Sequence, residues 1–170
     1  MRERWSTPVV VIHWLSAALI VGLAAAGLVM SHMSPDASAR LLLSRLHSVG
    51  GVALMALTVA RLIARTRAGG PAPLPLDAAH RRLVGVVHAL IYATLFGIGA
   101  SGALTGARSE WPQYLRGELG RAPALEAMTS RAAHEALVFT LLGLVAIHVA
   151  GVVIHQARRG GALPRMLPSR

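Results

Sequence analysis

The chain has 170 residues, 54% of them hydrophobic and only 14% charged, with a mean hydropathy of +0.56; this lies outside the range of soluble domains and makes it an integral membrane protein. All seventeen basic residues are arginine and the formal net charge is +10, but the arginines gather at the ends of apolar runs, where they act as topology determinants and not as a nucleic-acid surface. The absence of cysteine excludes a disulfide, an iron–sulfur cluster, a thioether-linked prosthetic group and a thiol nucleophile, so any redox centre is held by histidine or methionine.

Ser6-Thr7-Pro8 reads as a helix start, with a hydroxyl at the N-cap and proline in the first turn. The apolar run that follows, giving a helix at about 8–30, is long enough to cross roughly 30 Å of hydrocarbon. It exceeds the hydrophobic region of a signal peptide and contains His13-Trp14, so it is expected to be a retained span. Ser34-Pro35-Asp36 begins a second helix, about 36–65, which carries His47 and Gly50-Gly51 and meets water at Arg61, Arg65 and Arg67; Gly69-Gly70-Pro71 ends it. A short extended linker, Pro71 to Pro75, leads to Asp77, the expected cap of a third helix, about 78–105, holding His88, Tyr92 and Gly97 and closed by Gly106. From Arg108 to about Thr129, with Trp111-Pro112 and Tyr114, the composition suits an ordered loop at the membrane interface. The fourth helix, about 127–158, contains His134, His148, His155 and Arg158, stops at Gly160-Gly161 and Pro164, and leaves a short basic tail.

Four spans with short connections predict an all-α, integral membrane, four-helix up-down bundle occupying 1–170 as one membrane domain. The N-terminus, the connection between the second and third spans and the tail hold eleven arginines, against Glu3 and Asp77. The other two connections and their helix ends hold six, Arg40, Arg45, Arg108, Arg116, Arg121 and Arg131, against five acids. Both termini are therefore expected in the cytoplasm.

His134 and His148 are fourteen residues apart, about 1400° of helical rotation and so within about 40° of a whole number of turns, with an axial separation of roughly 21 Å. They share a face at opposite leaflets. On the expected topology His13 lies at the depth of His148, toward the cytoplasm, and His47 at the depth of His134, toward the periplasm. Ionisable rings are costly in hydrocarbon without partners, so two such pairs suggest two bis-imidazole b haems, six-coordinate and suited to electron transfer. Histidines hydrogen-bonded between helices are the alternative for any one of them. Gly50, Gly51, Gly143 and Gly151 would let a porphyrin approach the backbone, or serve close helix packing.

The segments Arg4-Trp-Ser-Thr-Pro8, Ile12-His13-Trp14-Leu15, Arg45-Leu-His47-Ser-Val-Gly50, His88-Ala-Leu-Ile-Tyr92, Ser101-Gly102 and the His134/His148 spacing resemble the bacterial cytochrome b561 family along essentially the whole chain. The resemblance implies a four-helix bundle of the bacterial inner membrane with two b haems, whose iron is bound by His13, His47, His134 and His148. It also implies a free-standing oxidoreductase that resembles a superoxide oxidase, passing electrons from periplasmic superoxide to ubiquinone. Membrane anchors of hydrogenases and formate dehydrogenases, which dock a periplasmic partner, are the alternative. In that frame His155, His88 and Arg158 are candidates for quinone or haem-propionate contacts. Arg108, Arg116, Arg121 and Arg131 are candidates for attracting superoxide, although the glutamates among them also fit an ordinary balanced surface. His32 and His80 are expected in water. The basic residue that relatives often carry in the second connection is missing between Gly69 and Leu76.

Overall fold

A computed structural model of the chain describes residues 4–71 and 76–167. Arg2, Glu3, Arg170 and the Pro73-Leu74-Pro75 part of the linker, all used in the sequence reading, lie outside the described residues. Helices α1 (Thr7–His32), α2 (Ser38–Ala68), α3 (Ala78–Ala107) and α5 (Thr129–Arg159) are each long and apolar enough to cross a membrane, and a short α4 (Trp111–Arg116) lies between the last two. Among the described residues there is no strand. The protein is an all-α membrane bundle.

Local chemistry sets the ends. Pro8 stands in the first turn of α1, where its missing N–H costs nothing. At the other end the Arg40 guanidinium donates to the carbonyls of Met30 and Met33, which would otherwise be left open at a helix C-terminus. The turn before α2 departs from expectation. The Ser34 hydroxyl donates to the Asp36 carboxylate (2.7 Å) where an N-cap hydroxyl would accept from a helix N–H, and that bond holds the Asp36 carboxyl below its usual range. The helix therefore starts after this turn, at Ser38. Asp77 does cap α3, accepting from the His80 N–H at 2.9 Å. Gly106 does not close α3, which runs on to Ala107. Gly117 ends α4 in the left-handed conformation (φ 85°) that an L side chain resists.

The tail is not loose. The Trp5 N–H donates to the Arg165 carbonyl (3.2 Å) and the Trp14 indole N–H to the Met166 carbonyl (2.7 Å). The Gln156 side-chain oxygen receives the N–H groups of Ala162 and Leu163. A turn of 3₁₀ helix, Leu163–Met166, is thereby held across the start of α1, and the first and last described residues lie on one side of the bundle.

Packing divides the spans into two pairs. α1 lies along α2 and α3 along α5, α2 touches α3 more lightly, and α1 meets α5 only sparsely. Glycine makes the close approaches possible: a Cβ at Gly50 would stand 2.9 Å from Leu23, and one at Gly97 would stand 3.1 Å from Leu137. Gly50 thus serves helix packing. The exterior is apolar, as lipid requires, with Val52 73% and Phe139 61% exposed. At mid-height Leu54, Leu95 and Leu141 form a small buried cluster, walled by Ile20, Ile91, Ile98 and others. It separates two levels at which the helix pairs face each other through histidine.

Candidate functional site

On the side of α4, His47 of α2 faces His134 of α5, their ring centroids 6.2 Å apart and their planes at 63°. On the side of the termini, His13 of α1 faces His148 of α5 at 6.5 Å and 82°. Each of these contacts joins one helix pair to the other. The four histidines placed in two layers by sequence are thus brought together in those two couples.

The separations are informative. Two imidazoles bound on opposite sides of one metal, each by a bond of about 2.0–2.1 Å, with the nitrogen about 1.1 Å from the ring centroid, stand about 6.3 Å apart centre to centre. Both pairs match this. His88, whose ring lies 4.9 Å from that of His148, is too close for a metal between them. It packs against His148 instead, and its Nδ1–H donates to the Val84 carbonyl of its own helix (2.7 Å). Among the described residues no group of three or more histidine, cysteine or carboxylate side chains gathers as a metal site. Two axial nitrogens and nothing else suit an iron that brings its own equatorial ring, and the residues present fit a haem at each layer.

Two glycines shape the layer near α4. Gly102, one turn beyond Ile98 on α3, leaves room for the His134 ring to reach the Ile98 carbonyl, which accepts the His134 Nδ1–H and the Ser101 hydroxyl, each at 3.0 Å, with that hydroxyl 3.3 Å from Nδ1. The proton held at Nδ1 leaves Nε2 as the free ligating nitrogen. A Cβ at Gly102 would press on the ring at 3.3 Å. Gly27 of α1 stands one turn beyond Leu23 in the same way. A Cβ there would lie 3.5 Å from His47, and the Leu23 carbonyl approaches that ring without closing a well-formed hydrogen bond at Nδ1. The Nδ1 of His13 is likewise buried and unpartnered.

The other candidates fall as follows. His155 is half-buried two turns beyond His148, its Nε2 buried and without a partner, while Arg158 is exposed beyond it. Arg116 is paired with Glu118 (2.6 Å) and Arg131 with Glu135 (2.7 Å); the Glu118 hydrogen bonds push the Arg116 guanidinium still higher. Arg121 and Arg108 are exposed, the former within the field of Asp36. His32 bonds the Leu28 carbonyl (2.9 Å) and His80 pairs with Asp77 (2.6 Å), both at the exposed surface. Gly143 stands about 180° round the helix from His134 by residue count and is exposed, so it does not face either pair. Gly27 was not singled out from sequence, Arg61 was expected to meet water and Tyr92 was quoted only within a motif; yet each lies at a layer, with Arg61 and Tyr92 half-buried and their Nε and phenol oxygen buried. The signal was available: Gly27 and Arg61 stand fourteen residues beyond His13 and His47, the interval that separates His134 from His148.

Comparison with known proteins adds three findings. A family model described as prokaryotic cytochrome b561 matches residues 4–169. Cytochrome b561 homolog 2 of Escherichia coli (strain K12) is 35% identical over 103 residues, which is 60% of this chain and 55% of that protein, so the match spans about half the relative's length. No solved structure gives a significant match.

Proposed function

The chain belongs to the prokaryotic cytochrome b561 family, whose members use haem b for membrane electron transfer, and from that premise we propose that it oxidises superoxide on one side of the bacterial inner membrane and reduces ubiquinone at the other. The observation that carries this reading is the pair of histidine couples, His47/His134 and His13/His148, at ring separations of 6.2 and 6.5 Å. Each is spaced for one haem iron, and the two couples are roughly 21 Å apart along α5. When bound, the haems supply one-electron carriers. His47 with His134, and His13 with His148, would hold each group through two imidazoles, and a group so held would supply electron transfer and not dioxygen activation.

Each superoxide anion gives up one electron and leaves as dioxygen; ubiquinone takes up two electrons and two protons. The anion does not readily cross hydrocarbon, so it reacts at the layer near α4, taken to face the periplasm because the arginine-rich ends lie opposite. With Arg116 and Arg131 already paired to glutamates, attraction of the anion falls to Arg108 and Arg121. Ubiquinone enters from the bilayer at the other end. There the His155 imidazole, whose Nε2 has no partner, and the Arg158 guanidinium would donate hydrogen bonds to a quinone carbonyl and stabilise the charge that reduction creates. The test is stopped-flow mixing of the oxidised, haem-loaded protein with superoxide. The α-band of the reduced cytochrome should appear, and fully, since both layers communicate. A protein that dithionite reduces but superoxide does not would remove superoxide as donor. A periplasmic protein co-purifying in stoichiometric amount would favour the anchor reading instead.

A further inference from the structure

All four spans repeat their inward-facing position after fourteen residues. His13 is followed by Gly27 in α1, His47 by Arg61 in α2, His88 by Gly102 in α3 and His134 by His148 in α5, in each case one layer away on nearly the same face. The two layers are therefore built on one register from unlike residues. Near α4 the two spans that provide no ligand contribute Gly27 and Gly102, each against a histidine ring. Near the termini they contribute Arg61 and His88.

Arg61 is the unusual member. A guanidinium at the depth of a ligating histidine is costly to hold in a bilayer without a counterion. Among the described residues no carboxylate pairs with it, and its Nε is buried with no hydrogen-bond partner. Its nearest companion is Tyr92 of α3, with the guanidinium carbon 6.0 Å from the ring centroid and the phenol oxygen likewise buried and unpartnered. Arg61 acts electrostatically on His13, His88 and His148. Arg65, one turn further on, is instead drawn over the Trp5 ring at 5.4 Å, toward the surface. A cation with no carboxylate partner among the described residues and two open donors, Arg61 Nε–H and Tyr92 O–H, thus lie together at the layer near the termini.

We propose that Arg61, steadied by Tyr92, is the built-in countercharge of the layer near the termini: it binds an anionic edge group, a propionate carboxylate, of a haem held by His13 and His148 and makes that layer the more easily reduced of the two. This rests on the two-haem reading above. An electron arriving at a haem adds one negative charge, and a buried cation a short distance away favours that state. The cations nearest the layer at α4 are already engaged: Arg131, which acts on His47 and His134, is paired with Glu135 at 2.7 Å, and the Arg40 guanidinium is bonded to the Met30 and Met33 carbonyls, so electrons run downhill from that layer toward Arg61. Arg61 does not ligate or transfer anything; it is a positioning and field residue.

The experiment is an optical redox titration of the purified holoprotein, with His13→Ala identifying the component that belongs to the terminal-side layer. In Arg61→Gln that component should lose about tenfold in its reduction equilibrium, a downward shift of about 59 mV for one electron, while the other component stays put. Arg61→Lys, which keeps the charge, should restore most of the shift. Should Arg61→Gln fail to retain the terminal-side haem, its retention in Arg61→Lys with the other haem present in both variants carries the same conclusion. An unchanged terminal-side midpoint in Arg61→Gln with both haems bound, or an equal shift of both components, overturns the proposal. A wild-type chain binding fewer than two haems overturns the reading beneath it as well, and shows in the haem count before any titration.

Discussion

Gly102 offers the sharpest perturbation of one layer alone. A Cβ at this position would lie 3.3 Å from both Cε1 and Nδ1 of His134, inside the contact distance of about 3.5–4.0 Å. With alanine the ring must retreat by a few tenths of an ångström, stretching the 3.0 Å bond from Nδ1 to the Ile98 carbonyl. Such a bond contributes about 0.5–1.5 kcal/mol, while replacing glycine in a helix interior returns about 0.8–1.0 kcal/mol. Gly102→Ala should therefore fold as well as wild type and keep both haems, with the one near α4 bound less than about tenfold more weakly. Leucine is different. Its three further carbons need the volume the imidazole occupies, and the ring cannot move that far and still reach a metal shared with His47. Gly102→Leu should lose one haem of the two, the one that His47→Ala also removes, and retain the His13/His148 haem. The assay is pyridine haemochrome content per polypeptide, with low-temperature spectra identifying the survivor. Two full haems in Gly102→Leu, or loss of the His13/His148 haem instead, would refute the geometry argued for this layer.

His155→Ala should leave haem content and reduction by superoxide unchanged but slow reoxidation by ubiquinone analogues about tenfold or more, since a hydrogen bond to a charged group contributes about 1.5–3 kcal/mol; impaired reduction with normal reoxidation would place the quinone at the other end. Because Arg116 and Arg131 already have glutamate partners, the double change Arg116→Gln and Arg131→Gln should alter the superoxide reaction less than about twofold at moderate salt, and a tenfold loss in stopped flow would show that they do attract the anion. Leu141→Ala, which hollows the cluster between the layers where Leu141 is only 4% exposed, should cost about 2–5 kcal/mol of stability with both haems still bound; an unchanged thermal midpoint in detergent would mean that this cluster does not hold the helix pairs together.

The spans were legible because a membrane helix is specified by length and apolar composition alone, and the described helices follow from those two quantities. The histidine couples were legible because a helix converts fourteen residues into a shared face. What sequence reading misplaced was decided by local competition for hydrogen bonds. Ser34 and Asp36 carry the composition of a helix start, but the hydroxyl satisfies the carboxylate in the turn itself, so α2 begins at Ser38. Gly143, which lies between the ligands in sequence and was read as facing a porphyrin or packing a helix, does neither, because half a turn of helix carries it to the outside. The tail read only as short and basic, since nothing in Leu163-Pro-Arg-Met166 announces that an indole 152 positions away will bind its last carbonyl.

The fourteen-residue register was visible in one helix and went unused in the other three, and that omission has a physical cause. Histidine in an apolar run draws attention because its cost is obvious, whereas glycine has none and arginine near a helix end is readily assigned to topology. Arg61 sits among Arg65 and Arg67 and counts equally in any tally of positive charge, yet Arg65 lies over Trp5 and Arg61 faces Tyr92. Charge counting treats them alike; the helical face does not. The two layers share a scaffold and differ in the residues that complete it, with a carbonyl bond to the His134 ring on one side and the buried, unpartnered Arg61 Nε at the depth of His13 and His148 on the other. A bundle that merely carried two equivalent carriers would gain nothing from that difference. On the reading proposed above, the difference places the electron preferentially at the layer near the termini, while the net direction is set by the donor and the acceptor at the two ends.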